Sequence, residues 1–368
     1  MKIAVLSSHT PSLFWFRMDM MKAFSEKGYE VIAVGNEPEA DWAEKFKACG
    51  VRYLSATISR NGTNPLNDLK TLRSLLAILK AEKPERIFAY QAKTVIYGCL
   101  AAKLAGIREI YALIAGVGSV FLSDSVKTKV IRSILVAEYR LALKQAKKVF
   151  FQNGDDVSIF EKHHIISKDD IVMIPGSGVS LDRFVRQLLP AKPAFLCIGR
   201  LIKDKGIMEY LEAAKVVKAD YPDIRFMLVG PYDTNPSAIT REELAAYTES
   251  GIVEYFGEQA DVIPYLKQAS VFVLPSYHEG TPKTVLEAMA SGRAIITTDA
   301  PGCRETVKDG INGYLVPVRD SMAVANKMTE LICHPETIGT MADNGRKMVE
   351  EKFDVKIVNR IICETMKI

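Results

Sequence analysis

No apolar run in the 368 residues approaches the ~18 needed to span a bilayer, and the N-terminal KIAVLSS lacks the basic, apolar and small-residue order of a signal peptide. The expectation is a cytoplasmic protein. Six cysteines (Cys49, Cys99, Cys197, Cys303, Cys333, Cys363) are scattered without a C-x-x-C pair, which disfavours a zinc ribbon or a disulfide framework and predicts reduced, buried thiols. Neither Gly116-Val117-Gly118 nor Gly176-Ser177-Gly178 carries the third glycine of a dinucleotide fingerprint, which argues against a nicotinamide dehydrogenase. Histidine is scarce: His163 and His164 form an adjacent pair that reads as surface, and His278 has no second ligand at metal-binding spacing. No Pro/Gly/Ser tract interrupts the chain, so no long disordered segment is expected.

What is present is an ordinary globular composition, 48% hydrophobic and 25% charged, in a chain long enough for two α/β domains with a cleft. Short β-rich runs (KIAVLSS, EVIAVG, VRYLSAT, ERIFAYQ) alternate with helical patterns, the mark of βαβ units and a parallel sheet covered on both faces. The alternation pauses at PGSGVSLDRFVRQLLPAKPA and restarts at AFLCIGR. This places an N-terminal Rossmann-like domain at 1–183 and a C-terminal one from 184. In such doubly wound sheets ligands sit outside the strands' C-terminal ends.

The two halves differ in charge: residues 1–183 carry 26 Lys+Arg against 19 Asp+Glu, a balance of +7, and residues 184–368 carry 22 against 25, a balance of −3. Seven basic residues (Lys127, Lys129, Arg132, Arg140, Lys144, Lys147, Lys148) face one acid, Glu138, in a stretch with helical periodicity. That stretch fits an anionic membrane surface or a solvated helix packed on its sheet, and the pattern leaves both open. Phe14, Trp15, Phe16, Met18, Met20 and Met21 fit either lipid contact near an acceptor mouth or the core.

The informative segment is VFVLPSYHEGTPKTVLEAMASGRAIITTD. An apolar strand ends near Pro275, a polar loop follows, and Thr281 reads as N-cap with Pro282 at the first helical position and Gly292 closing the helix. Such a helix start, free N–H groups outward, suits an anion such as a diphosphate. Glu279 precedes it and Glu287 lies within it, eight residues on. In isolation the pair reads as ordinary surface glutamates. GRLIKDKG, however, adds Arg200 at another strand end and Lys205 five residues later, a planar fork and a point charge suited to a leaving nucleotide diphosphate.

These segments resemble glycosyltransferase family 4. EGTPKTVLE matches its E-x7-E signature, GRLIKDKG its Arg/Lys segment, and LVGPYDTNPSA (with Gly230), VEYFGEQADVIPYLKQASVFVLPS and DAPGCRETVKDGINGYLVP follow its order. The N-terminal half, with SRNGTNPL and GVGSVF, looks like bacterial enzymes that add N-acetylgalactosamine or a related sugar to undecaprenyl-diphosphate-linked glycans. The resemblance implies a GT-B fold in which the last helix, 354–368, crosses back to join the N-terminal domain and leaves 184–353 as the C-terminal one, and retaining transfer from a UDP-sugar without cofactor or metal, in agreement with the lack of a D-x-D pair. It assigns Arg200 and Lys205 to the diphosphate, Glu279 to the donor sugar, Glu287 to the ribose, and Gly280, Thr281, Pro282 and Gly230 to the donor pocket. The partners implied are the nucleotide-sugar donor, a lipid-linked glycan acceptor and the inner face of the cell membrane, with no nucleic acid.

The chain departs from the family pattern where many relatives carry His-Gly and it has Ala115 and Gly116 in LIAGVGSVF, so no histidine contact carries over. SSHTPSLFWFR replaces the usual glycine-rich first loop. His9, Gly116 and Gly118 remain as acceptor-side candidates. Two other functions fit the same fold, a nucleotide-sugar 2-epimerase and a non-catalytic nucleotide-sugar-binding protein.

Overall fold

The computed structural model describes all residues except 60, 61, 63, 123–125 and 235–236, so parts of SRNGTNPL and LVGPYDTNPSA lie outside the described residues. The chain divides into two compact units, 1–177 with 355–368, and 178–354. The first break falls earlier than the sequence places it because residues 178–184 already belong to the second unit. Val179 bridges to Asp354, and Phe184 is buried in that unit's core.

The first unit runs β1 (Lys2–Ser7), α1 (Thr10–Glu26), β2 (Glu30–Gly35), α2 (Glu39–Lys47), β3 (Arg52–Ser55), α3 (Pro65–Glu82), β4 (Arg86–Tyr90) and α4 (Ala92–Leu104). It continues with β5 (Glu109–Ile114), α5 (Ser119–Leu122), α6 (Val126–Leu143), β6 (Lys148–Phe151), α7 (Gly154–Lys162) and β7 (Ile171–Met173). The second unit runs β8 (Ala194–Ile198), α8 (Ile207–Asp220), β9 (Arg225–Val229), α9 (Arg241–Thr248), β10 (Glu254–Tyr255), α10 (Ile263–Gln268) and β11 (Val271–Leu274). It ends with α11 (Lys283–Ala290), β12 (Ala294–Thr298), β13 (Gly313–Val316), α12 (Ser321–Cys333) and α13 (Glu336–Met348), and the last helix is α14 (Val355–Met366).

Both sheets are parallel, in the orders β3-β2-β1-β4-β5-β6-β7 and β10-β9-β8-β11-β12-β13. Their central strands are buried end to end, as continuous apolar runs such as AFLCI and VFVL require when helices cover both faces. Helix starts are set locally. Asn64 accepts from the Leu66 N–H at 3.0 Å ahead of Pro65, and Thr240 and Glu243 close a reciprocal capping box. α14 returns to the first unit and buries Val358, Ile362 and Met366 beside α1, each such side chain contributing about 1.5–3 kcal/mol on leaving water.

Several sequence expectations shift here. The basic stretch is not one helix: α6 stops at Leu143 and Lys148 opens β6. Lys147 pairs with Glu109, Arg140 donates to the His163 and His164 carbonyls, and Lys148 donates to the Asp169 carbonyl, so much of the charge is spent locally. The Lys127 side chain lies outside the description. On α6 the apolar Val130 and Ile134 face outward, as do Val126 and Leu141. Of the α1 cluster, Met18, Met20 and Met21 are core, Phe14 packs on Trp42 and Phe46, and only Trp15 and Phe16 are exposed. All six cysteines are free, four of them buried, with Cys49 half-buried and Cys333 exposed.

Candidate active site

In the second unit the strands β8 and β11 lie side by side, and the loops leaving their C-terminal ends carry the charged set. The β8 loop closes as a short 3-10 turn, Lys203–Lys205, ended by Gly206 at φ 69°. A Cβ there would sit 2.0 Å from the Pro275 carbonyl oxygen. Only glycine lets this turn lie against the β11 loop, and that contact sets where Lys205 points. Two bonds fasten the loops: the Tyr277 N–H and the Ser276 hydroxyl both donate to the Asp204 carbonyl, at 2.9 and 3.1 Å. A third loop joins them, since the Glu279 N–H donates to the Pro301 carbonyl at 2.9 Å.

The result brings Lys205 and Glu279 into direct contact, an ion pair whose side chains are only 22% and 12% exposed. Desolvation on that scale makes the attraction matter more than in an exposed pair. Arg200 takes a different partner: its Nη1 donates to Asp233 at 2.7 Å, with the guanidinium still 44% exposed. Asp233, in the loop after β9, was not singled out in the sequence. Gly230 ends that strand at φ 151°, where a Cβ would collide with the Gly199 carbonyl oxygen at 1.8 Å, so it keeps the β8 and β9 loops in close approach.

Thr281 is not the cap of the helix that follows. Pro282 holds the capping position in an extended conformation (φ −71°, ψ 109°), so the first helical residue is Lys283 and the helix begins one residue later than the sequence suggests. No side chain caps this start, and its first turn holds no acid. Gly280 and Thr281 form the buried stretch between Glu279 and the cap. The Glu287 side chain, one turn into α11, makes no hydrogen bond or ion pair within the described residues. Protein crowding around its carboxyl pushes the pKa up to about 6, only partly offset by Lys283 and Arg183 and reinforced by Asp261. A free carboxylate one turn inside an uncapped helix start is placed to accept two hydroxyl hydrogen bonds.

A support shell unseen in the sequence stands behind this set. The Tyr277 hydroxyl donates to Glu209 at 2.5 Å under the Arg319 guanidinium, 4.6 Å above the ring. Cys303 is buried against the Ser276 carbonyl, and burial pushes its thiol up to about 12, so it is inert packing. The remaining candidates lie in the first unit. The His9 carbonyl caps α1 by accepting from the Ser12 N–H at 3.0 Å, and Gly116 and Gly118 lie in the loop after β5.

Two family models match the chain, "Glycosyl transferase 4-like" over residues 2–153 and "Glycosyl transferases group 1" over 192–334. An N,N'-diacetylbacillosaminyl-diphospho-undecaprenol alpha-1,3-N-acetylgalactosaminyltransferase of Campylobacter jejuni is 30% identical over 90% of this chain and 89% of its own. The chain belongs to the glycosyltransferases. It is also 27% identical to a UDP-Gal:alpha-D-GlcNAc-diphosphoundecaprenol alpha-1,3-galactosyltransferase of Escherichia coli, over 84% of this chain and 82% of that one. Among solved structures, the sucrose-phosphate synthase of Thermosynechococcus elongatus superposes with a TM-score of 0.82 at 19% identity, covering 100% and 98% of the two chains. An Anabaena protein bound to UDP and glucose gives 0.80 at 18%, covering 100% and 99%. This glycosyltransferase therefore has the GT-B fold.

Proposed function

We propose that this glycosyltransferase moves N-acetylgalactosamine, or a related hexose, from a UDP-sugar to an undecaprenyl-diphosphate-linked glycan during surface polysaccharide or glycan assembly, retaining the anomeric configuration and requiring no metal. The observation that carries the reading is the contact of Lys205 with Glu279 in front of an uncapped helix start, with Glu287 unpaired one turn behind. The names of the Campylobacter and Escherichia relatives support the donor and acceptor classes.

In this reading the donor diphosphate lies against the α11 start, where the helix dipole favours negative charge, and Lys205 and Arg200 neutralise it as it leaves. Glu279, tied to Lys205, is held beside the diphosphate and orients the sugar. Glu287 accepts from the ribose hydroxyls. The acceptor approaches from the face the diphosphate vacates.

No helix among the described residues is long and apolar enough to cross a membrane. The reading therefore includes peripheral attachment at the inner membrane face through α6, whose outward Val126, Val130, Ile134 and Leu141 lie on a helix that also bears Lys129, with Lys144 just beyond its end. The test is a panel of UDP- and GDP-sugars with a short undecaprenyl-diphosphate-linked acceptor, read by mass spectrometry. UDP release that requires acceptor, with one added sugar mass, supports transfer; epimerised donor without acceptor, or binding without turnover, overturns it.

A further inference from the structure

A buried cation stands without a counter-charge in the first unit. Arg17 on α1 is 3% exposed, its Nε is buried with no partner, and no carboxylate pairs with its guanidinium within the described residues. Its one polar neighbour of note is Tyr90, whose ring centroid lies 4.8 Å from the guanidinium carbon. Burial lowers the pKa of Arg17, yet an arginine side chain stays protonated at any physiological pH. A desolvated guanidinium whose partner is a neutral phenol rather than a carboxylate is costly, and a fold that keeps one is poised to offset that cost with a ligand anion.

The surroundings agree with an anion. Tyr90 ends β4 and Ser7 ends β1, and these neighbouring strands mark the switch point of the sheet, where the chain order reverses. The Tyr90 hydroxyl meets the Ser12 hydroxyl at 3.0 Å in the first turn of α1. Across the two strand ends, Ser7 and Ser8 donate to the Gln91 Oε1 at 2.8 and 2.9 Å. With its carbonyl oxygen doubly engaged, Gln91 presents its amide Nε2 as a donor. Gln91 also adopts φ 71°, an uncommon conformation for a residue other than glycine, and it caps α4 with no side-chain bond to the helix. Both helices that start here, α1 and α4, have first turns without an acid. The cluster thus combines a fixed cation, a set of neutral donors and no carboxylate.

We propose that Arg17, with the Ser12, Tyr90 and Gln91 side chains, forms a phosphate-binding subsite at the β1–β4 switch point, separate from the charged set of the second unit and occupied by a diphosphate during the reaction. Of the substrates of the proposed function, the lipid-linked acceptor brings a diphosphate other than the one assigned to the second unit, and it is the occupant we assign to the subsite. The subsite rests on that reading for its physiological ligand, but anion binding itself is readable without any transfer.

The experiment uses the full chain held at saturating UDP, titrated with inorganic diphosphate and followed by thermal denaturation. The wild type gains melting temperature with diphosphate. Arg17→Met, which fills the same volume without charge, shows no gain, and melts at or above the ligand-free wild type because the unpaired charge is gone. Should Arg17→Met not fold, Arg17→Gln takes its place with the same loss of gain. A diphosphate shift that survives in either variant, or is absent from the wild type, overturns the proposal. Kinetics then test the occupant: the acceptor KM should rise about 10- to 100-fold, the loss expected for one charge-assisted hydrogen bond, with the donor KM unchanged, and a rise confined to the donor KM contradicts the proposal. A fall in kcat with both KM values unchanged contradicts it. A protein that binds diphosphate through Arg17 yet glycosylates no lipid-linked acceptor would refute the proposed function and leave the subsite standing.

Discussion

The Lys205–Glu279 pair allows stability and chemistry to be separated by a double-mutant cycle. Both side chains are largely enclosed, so either single change strands the other charge. Removing one partner of a fully buried pair costs 3–5 kcal/mol, and with these residual exposures we expect about 1–2 kcal/mol for Lys205→Met or Glu279→Gln. The double variant, which strands no charge, should recover most of that stability. Turnover should behave differently: a group acting on charge that develops only in the transition state contributes about 3 kcal/mol, so each single variant should lose roughly 100-fold in kcat. The double variant should stay at least as slow, because restoring neutrality does not restore the lost groups. Urea denaturation gives the stability arm, and initial rates at saturating donor and acceptor give the other. Recovery of kcat in the double variant would show that the pair only holds the loops together, and would refute its catalytic role.

Glu287→Gln should mainly raise the donor KM, and wild-type donor affinity should fall as pH drops through about 6 while the Gln variant stays flat, measured by UDP titration calorimetry. The folded state holds the Glu287 proton more tightly than the unfolded chain. Stability is therefore lost as pH rises from about 4.5 to 6, by about 2 kcal/mol for a shift of this size, and Glu287→Gln should remove that slope in urea melts. Gly206→Ala, forced against the Pro275 carbonyl in a left-handed turn, should cost at least about 1–3 kcal/mol and reduce kcat by displacing Lys205. Binding to anionic vesicles should weaken with salt and in Lys129→Glu with Lys144→Glu, whereas Val130→Ser with Ile134→Ser should weaken it at every salt concentration. Unchanged sedimentation of both variants would remove α6 from the membrane.

The legible parts of the sequence were those written at short range. Strand and helix alternation, the offset from Arg200 to Lys205 and the placement of Glu279 and Glu287 around one helix start follow from local periodicity and spacing, and in the fold Lys205 meets Glu279. What escaped was decided by contacts between distant segments. Asp233 meets Arg200 only because β9 lies beside β8, and Pro301 holds Glu279 only because β12 lies beside β11. Thr281 looked like the cap because its residue type favours that role, but the rigid Pro282 is extended and takes it. The basic run looked like one helix because charge carries no period of its own; Val149 to Phe151 pulled Lys148 into a buried strand. Arg17 drew no notice among aromatic and methionine neighbours, since a sequence does not show which face of α1 meets Tyr90.

The most direct measurement is the anomeric configuration of the product formed in excess chelator. UDP-N-acetylgalactosamine and a short undecaprenyl-diphosphate-linked acceptor are incubated with the enzyme, and the new linkage is read by NMR. The account predicts acceptor-dependent release of UDP, full turnover without divalent metal, and a linkage that keeps the α configuration of the donor. A β linkage, or activity lost in chelator and restored by a divalent cation, would contradict it.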